Sequence, residues 1–456
     1  MSISRKDFIR KVSIITLGFA SFPKLIASTT NTFNYNHYKK LVSDKNGILD
    51  LPKDFSYTII SKLNDKMNDG LRVPNAADGM GCFKGKGNNV VLVRNHELGH
   101  VPSTQNFFKK NPYGKSFFKY IKKNKNKFYD LKRNKTECFG GTTTIEYNIK
   151  TKTIINQYLS LSGTLVNCSG GQTPWNTWIT CEETVKRSSG RITKNHGYNF
   201  EINPFSDFQD VRPIPLKSMG RFRHEAVAFD PKKGYVYQTE DREKGLFYRF
   251  IPKVKNKLHK GGKLQGLSLA NYRGPDCRNW KNNNFKVGET HKVRWIDLDN
   301  VKSPKDDLRT KGRNQGCAIF ARGEGIWFGN DYVYFTCTSG GRNKAGQIWR
   351  YRHIDNSKFE GEIELFFESV DKNILNMPDN ITISPWGDLI VSEDGKGHDR
   401  LIGIKPNGKT YLLAKNIYNK SEFAGACFSP DGKTLFVNIY KPTMTLAIEG
   451  PWKNLN

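Results

Sequence analysis

A thiol and two adjacent carboxylates, Cys181-Glu182-Glu183, close a short apolar and β-branched run, Thr177-Trp178-Ile179-Thr180. The surrounding stretch, Ser162 to Thr184, opens with a Gly/Ser/Asn-rich turn and then reads as a strand, so all three groups leave one strand end together. Thiolate sulfur takes soft or borderline metals and carboxylate oxygen takes hard ones, so the set can hold more than one kind of ion. The plainer reading is a buried or disulfide-bonded cysteine followed by a solvated acidic turn.

The elements that position these groups come from the rest of the chain. Arg223-His224-Glu225 begins an alternating strand, and Tyr235 to Thr239 ends in Glu240-Asp241 after a turn at Asp230-Pro231-Lys232-Lys233-Gly234. A hairpin brings its start and end together, which aims Glu225 and Glu240 at one region. Similar hairpins join Gly325–Phe328 to Tyr332–Thr336, Asn380–Ile383 to Asp388–Ser392, and Ala424–Phe428 to Thr434–Asn438. An acid precedes each first strand: Glu225, Glu324, Asp379 and Glu422. Second strands end in polar pairs such as Glu240-Asp241 and Glu393-Asp394, and an earlier strand at Asn89–Val93 ends in Arg94-Asn95-His96-Glu97. This irregular repeat predicts an all-β propeller. Radial repetition would gather the acids at one channel mouth, where they repel unless cations bind them.

Composition narrows the classes. The net charge of +30, from 73 basic and 43 acidic residues, suggests nucleic-acid binding, but the lysines are scattered among asparagines with no basic helix or recognised motif. No specific nucleic-acid partner is expected; a general positive field would draw in phosphate-bearing molecules. Residues 106–135 read as a basic, aromatic, partly helical insertion. The N-terminus has a charged segment, an apolar run of roughly a dozen residues and small residues near Ala27 and Ser28, an export signal over 1–28 that is too short to span a bilayer. Ser4 to Lys11 resembles a twin-arginine signal with Lys6 in place of the second arginine, so export by the twin-arginine or the Sec route is expected, to the periplasm or beyond. Residues 29–456 contain no linker and read as one domain and a monomer. Eight cysteines allow up to four disulfides, with buried free thiols equally compatible for Cys337 and Cys427. GxSxG, P-loop and HExxH motifs are absent, and Ser169 reads as a turn residue.

The Ser162–Thr184 stretch, MGRFRHEAV at 219–227, ARGEGIW at 321–327 and PDNITISPWGDLIVSEDG at 378–395 resemble the PhoX family of bacterial alkaline phosphatases, from about Asn95 to Trp452. The resemblance implies a six-bladed β-propeller with loop and short helical insertions. It implies iron (Fe3+) and calcium (Ca2+) in the central channel, hydrolysing small phosphate esters outside the cytoplasm. On that likeness Cys181 takes iron, Glu225 and Glu324 bridge metals, and Glu182, Glu240, Asp379 and Glu393 take calcium. Arg322 would clamp phosphate through its planar fork, with Arg94 or Arg223 as alternatives and Asn95 and Asn167 as further contacts. Two other readings remain: a calcium propeller lactonase or phosphotriesterase, and a non-catalytic propeller that binds a glycan or protein, in which Cys181 would be disulfide-bonded or buried, Arg322 salt-bridged, and the acids would bind structural calcium only.

Overall fold

The computed structural model describes residues 41–100, 111–133, 135–205, 213–355 and 357–455. The export segment read at 1–28 and residues 106–110 and 134 of the basic insertion lie outside the described residues.

Four separate antiparallel blades and one nearly closed nine-stranded sheet, whose two halves are labelled III and IV, surround a ring of inner strands, where six separate blades were expected. Blade I comprises Ala77–Lys84, Asn89–His96, Gly140–Asn148 and Thr153–Thr164. Blade II is shorter: Asn167–Gln172, Trp178–Glu182 and Asn199–Ile202. Blade III runs through His224–Phe229, Val236–Glu240, Phe247–Pro252 and Gly262–Leu269. Gly323–Gly329, Tyr332–Cys337, Gln347–Arg352 and Gly361–Glu368 make blade IV. Blade V is Pro378–Ile383, Leu389–Glu393, Arg400–Ile404 and Thr410–Asn416, extended at its edge by Leu49–Pro52. Each inner strand packs beside the next, and Phe423–Phe428 of blade VI returns to Ala77–Lys84. Four blades stand as separate sheets. Blades III and IV are fused by Thr290–Asp297 into one nine-stranded sheet whose end strands, the two inner strands, pack side by side.

Blade VI closes the ring with both ends of the described chain. Phe423–Phe428, Thr434–Ile439 and Met444–Glu449 take Ser56–Lys62 as their fourth strand. The alternation in Met444–Glu449 buries Leu446 and Ile448 in a cluster with Leu435, Val437 and Phe423. Leu446→Ala should therefore cost about 2–5 kcal/mol, read as a lower denaturant midpoint. A change under about 0.5 kcal/mol would mean that closure does not rest on this contact.

The described part of the basic insertion is partly helical, as expected, over Phe117–Lys123. Phe117, Tyr120 and Ile121 are buried with Met67, Val73, Phe139 and Leu159, so its aromatic face packs onto blade I. All eight cysteines are buried free thiols, so none of the allowed disulfides forms. Among the described residues no helix is long and apolar enough to cross a membrane.

One local feature repeats along all six inner strands. Near its start each inner strand pairs with the end of its neighbour, as in Ala77 with His96, His224 with Glu240 and Pro378 with Glu393. It then leaves the ladder for two residues in a bulge and resumes at Met80, Gly170, Val227, Ile326, Ile381 and Cys427 respectively. A bulge re-aims side chains, and such features recur beside functional sites. The inner strands lie so close here that a Cβ on Gly425, whose φ is +62°, would meet the Asp78 carbonyl oxygen at 2.4 Å. Only glycine fits that approach.

Candidate metal centre

The bulges deliver one set of site residues: Asp78, Cys168, Glu225, Glu324 and Asp379 each follow the first ladder pair of their blade. The first residue beyond the second strand supplies another in every blade but IV: Glu97, Glu183, Asp241, Asp394 and, in blade VI, Tyr440. Ligand atoms of Cys168, Glu183 and Glu225 lie within 4.8 Å of one another, as do those of Glu225, Glu324 and Asp379. Glu225 belongs to both groups, so it sits where a bridging carboxylate would.

The electrostatics of this cluster are those of crowded acids. Burial first, then Asp379 and Glu183, hold Glu225 well above the ordinary carboxylate range. Burial with Asp241 and Asp379 does the same to Glu324, and burial with Glu97 and Asp379 to Asp78. Glu183 is pushed up to about 8 by burial and Asp241, against the opposing pull of Arg223 at 3.2 Å. Asp379 is pushed up to about 7 by burial and Asp394. Burial and then Asp379 also raise Glu422, the acid before the blade VI hairpin.

Arg322 is the cation inside this ring. Its Nε donates to Asp241 Oδ1 at 2.8 Å, and Nη2 lies 2.5 Å from Glu324 Oε1. Its backbone has φ +54° and is pinned by N–H to the Arg242 carbonyl at 2.9 Å and by Thr338 N–H to its own carbonyl at 3.0 Å. A non-glycine residue in the left-handed region costs free energy, and such residues cluster at functional sites. Arg223 stands at the rim, its side chain 37% exposed. Tyr440 Oη donates to Glu97, and Lys441 Nζ donates to Tyr440 Oη at 2.8 Å.

The donor sets suit metals. Cys168 with two carboxylates offers sulfur and oxygen to a borderline ion; Glu225, Glu324 and Asp379 offer only oxygen, which suits a hard one. Buried acids that raise one another's pKa are the arrangement bound cations would relieve.

Of the residues singled out by sequence, Glu225, Glu324, Asp379, Arg322 and Arg223 are brought together. Cys181 is not. It lies one residue before the end of its strand, fully buried in an apolar cluster with Ile179, Leu216 and Phe222. Glu182 is the terminal strand residue, and its carboxylate accepts from Leu165, Gly197 and Tyr198 N–H groups and meets His196 Nδ1 at 2.6 Å. Glu240 is held by Tyr248 Oη at 2.8 Å and by Arg309; Glu393 takes a two-pronged contact from Arg400 at 2.6 and 2.7 Å. Arg94 is fully buried among Ser61, Thr143 and Thr445 hydroxyls, and burial lowers its pKa to about 9. Asn167 bonds Thr164 and Thr180 at 2.6 and 3.0 Å.

Asn95 has a positioning role. Its Nδ2 donates to the Cys168 and Ser169 carbonyls at 3.0 and 2.7 Å, and its Oδ1 accepts from Trp178 Nε1. The same strand position in blades III, IV and VI carries Thr239, Thr336 and Asn438, which donate to the Glu324, Asp379 and Asp78 carbonyls of the next blade. Cys181 occupies this junction position in blade II. Sequence reasoning missed Asp78, Cys168, Glu183, Asp241 and Asp394 as site residues. Aligning the blades on the acids at 225, 324 and 379 would have placed Cys168 in the same column.

A family model described as Alkaline phosphatase PhoX matches residues 36–443. Among solved structures, the chain is similar to Pseudomonas fluorescens PhoX in complex with vanadate, a transition state analogue. That match has 17% identity and a TM-score of 0.66, covering 89% of this chain and 96% of that one. It is also similar to the Xanthomonas campestris gluconolactonase XC5397, at 12% identity and TM-score 0.43 over 88% of this chain and 97% of that chain. No curated protein matches it in sequence.

Proposed function

The chain belongs to the PhoX family of alkaline phosphatases, and on that premise we propose that it hydrolyses phosphate monoesters outside the cytoplasm with iron and calcium at the channel mouth. The observation that carries this reading is the pair of ligand groups sharing Glu225, with Arg322 paired to Asp241 and Glu324 beside them. Iron is assigned to Cys168, Glu183 and Glu225, and calcium to the carboxylates around Asp379. Bound there, such cations supply positive charge for phosphate oxygens and acidify water.

The chain's own residues do the rest. Arg322 offers a planar fork to a phosphate. Asp241 and the pinned backbone hold that fork in place before substrate arrives, so little order is lost on binding. Glu183 braces Arg223 at the rim, and Asp241 braces Arg322 inside the ring. The net charge of +30 draws anionic esters toward the mouth. Export through the 1–28 segment, by the twin-arginine or Sec machinery, and action as a monomer without nucleic acid complete the proposal.

A non-catalytic propeller is the second reading, favoured by the ion pairs on Arg322 and the burial of Cys181. The test is hydrolysis of p-nitrophenyl phosphate at alkaline pH with iron and calcium content measured in parallel. Arg322→Lys keeps the charge but loses the fork, and should lower kcat/KM about 10²-fold. No turnover by wild-type protein that holds both metals would overturn the proposal; turnover unchanged in Arg322→Lys would remove Arg322 from the substrate.

A further inference from the structure

A second cluster lies off the channel, where blade II meets the insertion that follows blade I's second strand. His196, Asp130 and Cys138 are all buried there, none more than 2% exposed. The His196 Nε2 atom faces Cys138 Sγ at 3.7 Å and Asp130 Oδ2 at 3.5 Å. The second distance is too long for a sound hydrogen bond. Both lengths fit the edges of a tetrahedron: bonds of about 2.0–2.3 Å to zinc put neighbouring ligand atoms roughly 3.3–3.6 Å apart.

Around these three groups is the support that metal sites use. His196 Nδ1 meets Glu182 Oε1 at 2.6 Å, and Glu182 is itself held by three backbone N–H groups, so the ring is oriented with Nε2 toward the sulfur and the carboxylate. A carboxylate behind a ligating histidine fixes its tautomer and raises its basicity. Asp130 is fixed by the Thr193 and Lys194 N–H groups at 2.7 and 2.8 Å and by the Thr193 hydroxyl at 2.7 Å. Buried Arg221 donates from Nε to the His196 carbonyl at 2.7 Å and supplies a positive charge nearby.

We propose that Asp130, Cys138 and His196 form a second metal site, taking a borderline divalent cation of the Zn2+ class through one nitrogen, one sulfur and one oxygen. Three protein ligands leave a fourth position for water. The Cys138 thiol proton leaves for solvent when the sulfur takes the cation, so binding should release at least one proton per ion. Because Glu182 adjoins Glu183, an ion here would stiffen the blade II wall of the channel.

Cobalt(II) reads this site directly, since a thiolate ligand gives it an intense near-ultraviolet charge-transfer band. The full-length protein would be stripped with chelator, titrated with Co2+ and displaced with Zn2+, with Cys168→Ser as the background that silences the channel thiol and the Cys138→Ser/Cys168→Ser double variant beside it. The expected result is a band in Cys168→Ser that disappears in the double variant and is bleached by Zn2+. Calorimetry of Zn2+ binding to Cys168→Ser in buffers of different ionisation enthalpy should count at least one released proton. No band in Cys168→Ser, or its persistence in the double variant, would overturn the proposal. Should the double variant fail to fold by circular dichroism, the Cys168→Ser band and its displacement by Zn2+ decide alone.

Discussion

Cys168→Ser should lower kcat/KM for p-nitrophenyl phosphate by about 10²- to 10³-fold and deplete bound iron, while Cys181→Ser leaves turnover within a few-fold of wild type. The two thiols are 13 residues apart and belong to adjacent strands of one blade. Cys168 is delivered by a bulge to within ligand distance of Glu183 and Glu225. Cys181 packs among apolar side chains at the junction with blade III. A serine there places a hydroxyl in an apolar cluster, so Cys181→Ser should instead cost roughly 1–3 kcal/mol of stability. Metal analysis, steady-state kinetics and thermal unfolding of both variants check this. The reverse pattern, with iron and activity lost only in Cys181→Ser, would return the metal to Cys181.

Chelation should be the more drastic intervention. Removing the cations should lower activity at least about 10³-fold, since several kcal/mol of charge stabilisation disappear with them. The melting temperature should fall by on the order of 5 °C, because an ion that binds only the folded state stabilises it by mass action. Glu183 and Asp379 then become the reporters. Their carboxyls are raised to about 8 and about 7, so in the metal-free protein folding takes up protons. A group of that kind loses its stabilising contribution as pH rises from the ordinary carboxylate range through its raised value. The metal-free protein should therefore melt higher at about pH 6 than at about pH 8, and calcium with iron should abolish that slope. Thermal scans at both pH values check this; an unchanged melting temperature after complete stripping would mean that the acids do not depend on cations.

The fold was largely legible because propeller hairpins announce themselves. Turns such as Ser384-Pro385-Trp386-Gly387 and Ser429-Pro430-Asp431-Gly432-Lys433 fall where the ladder of each blade turns back. The leading acids at 225, 324 and 379 were visible because each opens an alternating run. What failed was parity. In each pair at a second strand's end, Glu182-Glu183, Glu240-Asp241 and Glu393-Asp394, the first acid still belongs to the ladder and is held by His196, Tyr248 or Arg400. The second stands just past the ladder and joins the channel cluster. Side chains alternate along a strand, so an error of one residue in the strand end exchanges the two. Cys168 and Asp78 were hidden differently, since Cys168-Ser169-Gly170 and Asp78-Gly79 look like turns, and a bulge uses the same residue types.

The strand that completes blade VI comes from the beginning of the described chain, and its three partners come from the end. During synthesis, Ser56–Lys62 therefore has no partner until Met444–Glu449 has emerged from the ribosome, almost the whole protein later. The channel rim draws on every blade, from Asp78 and Glu97 to Glu422 and Tyr440. On the proposed metal reading, loading of the ions is thus tied to the finished polypeptide. A nascent or C-terminally clipped chain has acids but no ring to hold them, and whatever compartment supplies the metals must do so after the last strand has docked.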